Sequence, residues 1–430
     1  MPSFLEQLHS MRADIGAIRT TGLDDATLLR LAPAHPDLVA AVDAAYRLHA
    51  QLRSQDPALL ALDEAAQVAA AQEGLVNFYP GDAVNPYVAL AARGPWIVTL
   101  KGAVIHDSGG YGMLGFGHTP GPVLEALAQP QAMANVMTPN LGQRRLTTRL
   151  REEIGHRNGQ SPYGHFFCLN SGSESVTLAC RIADVLARQL TDPGGPHAGR
   201  TIKRLAVKGA FHGRTEGPAY FSDSSRAGYL RHLASYRDED SLITVDPYDV
   251  DQLQAVFATA EREGWCIPAM FLEPVMGEGD PGRALTRAFY DAARSLTRAH
   301  GGLLLVDSIQ AGLRAHGVLS FVDYPDMAGI DPPDMETFSK ALNAGQYPLS
   351  VLAAGDRAAA LYQPGVYGNT MTSNPRATDV ACAVLDMLTP QIRGNIRDRG
   401  QEFLDKLLRL HPALPELVTG VRGRGLVVSS

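Results

Sequence analysis

The chain has no apolar run long enough to cross a bilayer, and its opening MPSFLEQLHSMRADIGAIRT carries Glu6 and Asp14 where a secretory leader needs an apolar core. Together these absences predict a cytoplasmic protein with no membrane partner. Basic excess is also missing. The 38 Lys and Arg against 45 Asp and Glu leave a formal charge of -7, with a pI near 6.0. Binding a phosphate backbone requires basic side chains gathered on one face, so nucleic acid is not an expected partner. Cysteine is scarce: Cys168, Cys180, Cys266 and Cys382 make no C-x-x-C pair and have no histidine at zinc-ligand spacing. They read as four reduced packing residues, and no metal site is expected. Internal repeats and low-complexity tracts are absent.

What remains is 430 residues, 45% hydrophobic and 19% charged, with 42 glycines. That composition predicts a soluble α/β protein rich in tight turns. Residues 1 to about 75 are rich in Ala and Leu at helical spacing, as in Leu38, Val42, Ala45, Leu48 and Leu52. An irregular stretch passes Asn85-Pro86, and WIVTL and AVIHD then predict a hairpin around Lys101-Gly102. A glycine-dense loop, GGYGMLGFGHTPG, precedes a helical stretch from Val123. From about residue 165 the runs HFFCL, RLAVKGA, LITVD, AMFLEPV, GLLLVDS, METFS and SVLAAG alternate with amphipathic stretches. Most are too apolar to have a face in water, which predicts a mostly parallel, doubly wound sheet. Ligands of such sheets bind at the carboxyl ends of strands.

Three places at strand ends have the residue types for chemistry. In HFFCLNSGSES, Asn170-Ser171-Gly172-Ser173 leads from a strand into a helix, whose free N–H groups and positive end suit a phosphate. A plain turn with a capping serine would read the same way. In GLLLVDSIQAG, Asp307 ends a strand expected to be fully buried, so a cationic partner is required. A protonated pyridine nitrogen, a buried arginine, or a helix cap would each meet that need. In METFSKALNAG, Lys340 follows a strand directly. A lone lysine is ordinarily a solvated surface residue. In a closed pocket, desolvation would instead yield the neutral amine that Schiff-base chemistry uses.

Taken in order, SGSES, FHGRT, EPVMGEG, VDSIQAG, FSKAL, GNTMTSNP and VRGRGL resemble the successive motifs of class III aminotransferases, over roughly residues 90 to 430. That family typically reads SGTEA, YHGRT, EPVQGEG, DEVQTG, AKGL, GSTFGGNP and RGLGL. The resemblance implies PLP fold type I, in which a large domain with a mostly parallel sheet joins a smaller α/β domain built from N- and C-terminal segments. The implied division is a helical extension over 1–80, a small-domain segment over 81–130, a large PLP-binding domain over 131–375 and a C-terminal small-domain segment over 376–430. It also implies pyridoxal 5'-phosphate as cofactor, with Lys340 as its Schiff-base lysine and Asp307 as the partner of the ring nitrogen. By the same carry-over Gly172 and Ser173 hold the phosphate and Phe211 stacks on the ring. His212 and Gly213 shape that loop, Ile309 packs on the opposite ring face, and Gln310 approaches the ring hydroxyl. Thr370 corresponds to a residue that reaches the phosphate of the neighbouring subunit, which implies a homodimer with shared active sites. Glu278 and Arg422 resemble a pair in which the glutamate masks the arginine that binds a substrate carboxylate. Tyr111 and Met113 align with a region that lines the substrate pocket.

Three departures accompany the resemblance. Ser308 stands where the family has an acid, and Arg314 replaces a motif glycine, placing a new charge near the pocket mouth. The helical segment before residue 75 is longer than the family needs, and relatives continue past the VRGRGL strand. The expected reaction is amino-group transfer between an amino acid or amine and a keto acid. The main rival keeps Lys340 and Asp307 but uses the carbanion for elimination, substitution, carbon–carbon bond formation, racemisation or decarboxylation. A non-catalytic PLP-binding module is the third reading.

Overall fold

The computed structural model describes residues 2–133, 136–237 and 239–430, without the side chain of Tyr111. The chain divides into two compact units, Met1–Leu124 and Glu125–Ser430.

In the first unit the expected helical segment forms helices at Phe4–Arg12, Asp25–Leu31, Pro36–Gln55, Pro57–Ala61 and Glu64–Ala71. Ser3 opens the first of these with a capping box closed by Glu6. Leu38, Ala41, Val42 and Ala45 lie along one face of the long helix and bury against Leu8, Met11 and Leu28. They also meet Trp96, Val98 and Val104. Those last three belong to the predicted hairpin, Trp96–Thr99 against Val104–His106. A strand at Ala89–Arg93 completes a three-stranded antiparallel sheet. It was not legible in the sequence, because ALAAR has neither β-branched residues nor alternation. Lys101, at the hairpin turn, is buried and donates to the carbonyls of Ile15 and Leu60 at 2.6 and 2.9 Å, which satisfies its charge without an acid.

The second unit is built on a seven-stranded sheet. In spatial order its strands are His165–Leu169, Ser350–Ala354, Met335–Phe338, Leu303–Asp307, Ala269–Leu272, Arg204–Val207 and Leu242–Val245. All seven apolar runs are strands, as predicted. The pairings among the last five are parallel, whereas Ser350–Ala354 runs antiparallel to both its neighbours. The central strands are buried at every position, as layers on both faces require. His165–Leu169 and Leu242–Val245 sit at the edges and are only partly covered. Helix Gly172–Thr191 packs on the strands containing Leu169, Asp307, Glu336 and Ser350, and helix Arg287–Ala299 packs on those containing Leu272 and Asp307. No α-helix lies between Asp307 and Met335; turns and short 3-10 segments make that connection. This unpatterned stretch carries Ile309, Gln310 and Arg314 past the end of the Asp307 strand.

Among the described residues no helix is long and apolar enough to cross a membrane. All four cysteines are free. Burial raises the thiols of Cys168, Cys266 and Cys382 to about 11 and pushes Cys180 higher still.

Candidate active site

The site lies where the Asp307 and Glu336 strands end beside the first turn of helix Gly172–Thr191. Ser171 is that helix's N-cap; its hydroxyl accepts from Glu174 N, while Glu174 Oε2 accepts from Ser171 N at 3.2 Å. The capping reading is therefore correct for Ser171, and it leaves the next two residues free. The amides of Gly172 and Ser173 donate to no group among the described residues, so two N–H groups at the positive end of a twenty-residue helix remain available. A Cβ at 172 would lie 2.7 Å from Ile309 Cδ1, so any other residue there would displace the Ile309 side chain. Gly213 has φ +118°, and a Cβ on it would meet Ser173 Oγ at 2.3 Å. The FHGRT loop thus closes directly on the serine of the cup.

Asp307 is buried with three donors around it. His212 Nδ1 stands 2.9 Å from Oδ2, while Thr337 Oγ1 and Ile309 N donate to Oδ1 at 3.0 and 3.2 Å. Among the described residues this carboxylate meets the imidazole of His212, and neither an arginine nor a helix end. His212 Nε2 is buried without a partner among the described residues. His212 thus bonds Asp307 as well as belonging to the FHGRT loop. Thr337 was missed, although the parallel register pairs it directly with Asp307.

Lys340 begins a short 3-10 turn after its strand and has φ +24°, a strained backbone for a side-chain-bearing residue. Its Nζ donates to Gln310 Oε1. Burial holds the amine below its ordinary pKa, the repulsion of Arg314 adds to this, and Asp307, Glu273 and Glu278 oppose it. Lys340 is therefore not a solvated surface lysine. Ile309 and Gln310 fall on the same turn as Asp307, so Lys340, Asp307, Gln310, Ile309, Gly172, Ser173, His212 and Phe211 all belong to one locus. Phe211 is half-buried, and the Arg214 guanidinium lies 4.7 Å from its ring centroid.

Two buried glutamates escaped the sequence reading. Glu273, the first residue of EPVMGEG, accepts from Phe211 N and Gly277 N, both at 2.9 Å. Desolvation pushes its pKa up to about 7. Glu336 interrupts the apolar run METFS and accepts from Ser308 Oγ, Ser320 Oγ, Phe321 N and Tyr163 Oη at 2.6 to 3.0 Å. With only neutral donors, it too is pushed up to about 7 by burial. The missing acid at 308 therefore has a counterpart one strand away, hydrogen-bonded to the serine that replaced it.

The expected Glu278–Arg422 pair requires correction. Glu278 pairs with Arg214 at 2.9 Å and Arg422 with Asp280 at 2.6 Å; among the described residues they make no ion pair with each other. The cause is local: Asp280 sits in the turn that folds back against the Arg422 backbone at Gly282. Arg314 is mostly buried and its Nη1 donates to Gln310 O at 3.1 Å. Thr370 is exposed, in a loop anchored where Asn369 Nδ2 donates to Glu174 Oε1 at 2.9 Å. Tyr111's side chain lies outside the described residues, and Met113 is a partly exposed residue of the first unit. Separately, His197, Glu261 and His300 bring three potential metal-ligating atoms within 4.8 Å of one another. They are too far apart in sequence for spacing to reveal, and Glu261 is already held by Arg200 at 2.8 and 3.0 Å.

Residues 79–430 match the family model described as aminotransferase class-III. The chain belongs to the class III aminotransferase family. It is 30% identical to an acetylornithine aminotransferase of Neisseria meningitidis serogroup B, over 81% of each chain. It is 29% identical to ornithine aminotransferase 2 of Staphylococcus aureus, over 83% of each. Among solved structures, the ornithine aminotransferase of Toxoplasma gondii superposes with a TM-score of 0.72 at 23% identity, covering 88% of this chain and 84% of that one. An omega-transaminase from Thermomicrobium roseum gives 0.69 at 24%, covering 84% and 83%. These structural likenesses show the shared fold. Family membership makes this class III aminotransferase a pyridoxal-phosphate-dependent transferase that moves amino groups.

Proposed function

We propose that the enzyme transfers an amino group from an amino acid or amine to a keto acid, with Lys340 as the cofactor-bearing residue and proton carrier. The observation that supports this best is the meeting of a buried, low-pKa lysine with a buried Asp–His pair. The free amides of Gly172 and Ser173 sit beside them. These groups fit pyridoxal phosphate at each end. The two amides and the Ser173 hydroxyl suit its dianionic phosphate, and Asp307 suits a protonated ring nitrogen. Bound there, the cofactor supplies an electron sink for the pair released when a proton leaves the carbon next to the substrate nitrogen.

This chain's residues do the rest. Asp307, fixed by His212 and Thr337, would keep a proton on the ring nitrogen. Ile309 and Phe211 would confine the ring, and Gln310, which accepts from Lys340 Nζ, would orient the ring hydroxyl. Lys340, whose burial favours the neutral amine, takes the proton from the substrate carbon and returns it elsewhere. Glu273 fixes the Phe211 and Gly277 backbones. The exposed position of Thr370 leaves it available to a second subunit, which supports a homodimer with shared sites. The ornithine and acetylornithine names of its relatives make basic amino acids the first donors to try.

The test is to mix holoenzyme with a panel of amino donors and no acceptor. Accumulation of the aminated cofactor with release of a keto acid or aldehyde is expected. Release of ammonia or a new carbon skeleton, with no aminated cofactor across the panel, would favour the carbanion chemistries to which Ser308 and Arg314 point.

A further inference from the structure

The arginines around the site are nearly all neutralised. Arg214 faces Glu278, Arg422 faces Asp280, Arg424 faces Asp326 and Arg393 faces Glu153. The buried Arg294 faces both Asp331 and Asp334. Arg314 is different. Among the described residues it has no carboxylate partner, and its one hydrogen bond goes to the carbonyl of Gln310. Its remaining guanidinium nitrogens are not sealed from solvent. A guanidinium held mostly out of water without a counter-ion is costly, and burial alone depresses its pKa. Such a group is a receptor for an anion that arrives from outside.

Its position indicates which anion. Gln310 touches both cations, Arg314 through its backbone carbonyl and Lys340 Nζ through its side chain. Through Gln310 the guanidinium and the reacting amine share one residue of the site. Its backbone is fixed by Leu426 N, which donates to Arg314 O at 2.8 Å, and its guanidinium is held by the bond from Nη1 to Gln310 O. Preorganised donors of this kind bind a carboxylate through two parallel hydrogen bonds. Arg422, which the family resemblance would assign to that task, is half-exposed and already bound to Asp280.

We propose that Arg314 receives the substrate carboxylate in place of Arg422, so that the enzyme selects α-amino acids, whose carboxylate adjoins the carbon bearing nitrogen, over carboxylate-free amines. This rests on Lys340 being the reacting amine. The test uses holoenzyme of the wild type and of the Arg314→Gln, Arg314→Lys and Arg422→Gln variants. Each is assayed with proteinogenic α-amino acids and with the amines left when their carboxylates are removed. Arg314→Gln is expected to lower kcat/KM for the amino acid on the order of 100-fold, and for the matched amine by far less. Arg314→Lys keeps the charge but loses the fork, and should give a smaller loss of the same selectivity. It carries the test if the Gln variant does not fold. Arg422→Gln should keep wild-type selectivity. Equal losses for both substrate types, selectivity that follows Arg422, or a wild type that prefers the amines would overturn the proposal. Cofactor content, measured by absorbance after alkaline release, separates this from failure of the Lys340 reading. Arg314→Gln should retain the wild-type amount, whereas a wild type with no cofactor on Lys340 refutes the underlying reading instead.

Discussion

Asp307 and Glu336 are both buried carboxylates on adjacent strands, and they are held in opposite ways. Asp307 is the last residue of its strand and has an imidazole against one oxygen. Glu336 lies one register step earlier, paired with Val306, and is enclosed by two serines, a tyrosine and an amide. Without a cation its burial is uncompensated, and the proton is held to about pH 7. Burial alone therefore does not mark a functional acid. What separates the two is the kind of partner, an imidazole at Asp307 against hydroxyls and one amide at Glu336, and the distance from the strand's carboxyl end.

The strongest way to break this comparison is to neutralise each acid in turn. Asp307→Asn should lower kcat by about 10³-fold or more, because the ring nitrogen loses its proton-holding partner. Glu336→Gln should leave kcat within about threefold, since its amide can replace a protonated carboxyl in the same hydrogen bonds. Single-turnover kinetics of the amino-donor half-reaction would show both. Next in size is Gly213→Ala, which strains a φ of +118° and drives a methyl into Ser173 beside His212. Cofactor affinity should fall at least tenfold, read from equilibrium dialysis, with stability reduced to a lesser degree.

The two glutamates also set a pH dependence. For Glu336 the folded-state pKa, about 7, lies above the ordinary 4.5. Between those values the folded chain keeps a proton that the unfolded chain releases, so stability declines as pH rises through that window and levels off above it. The loss is on the order of 3 kcal/mol for one such group. Glu273 contributes in the same direction. Urea unfolding of Glu336→Gln from pH 4.5 to 8 should show a visibly flatter decline than wild type; an unchanged slope would reject the buried-proton account. The smallest effect is expected from Ser308→Ala, which removes one of the four donors to Glu336. It should cost about 1 kcal/mol without changing kcat.

The sequence made the framework legible because the seven strands are apolar runs bounded by Gly, Pro or Asp. It made Lys340, Asp307 and the Gly172–Ser173 cup legible because each follows such a run. Polarity inside a run was opaque. Glu336 sits in METFS with nothing to announce that Ser308, Ser320 and Tyr163, remote in the chain, converge on it. Partner choice was opaque for the same reason, since whether Arg422 meets Glu278 or Asp280 depends on a turn closing at Gly282. The antiparallel course of Ser350–Ala354 also left no trace, because buried strands of either direction show the same composition.

The central claim is that Lys340 holds the cofactor. Borohydride reduction of the holoenzyme, followed by peptide mass mapping, tests it most directly. The account predicts one pyridoxyl adduct per chain, on the peptide containing Lys340, and none after Lys340→Ala. An adduct on another lysine, or a reduced holoenzyme with no adduct at all, would contradict it.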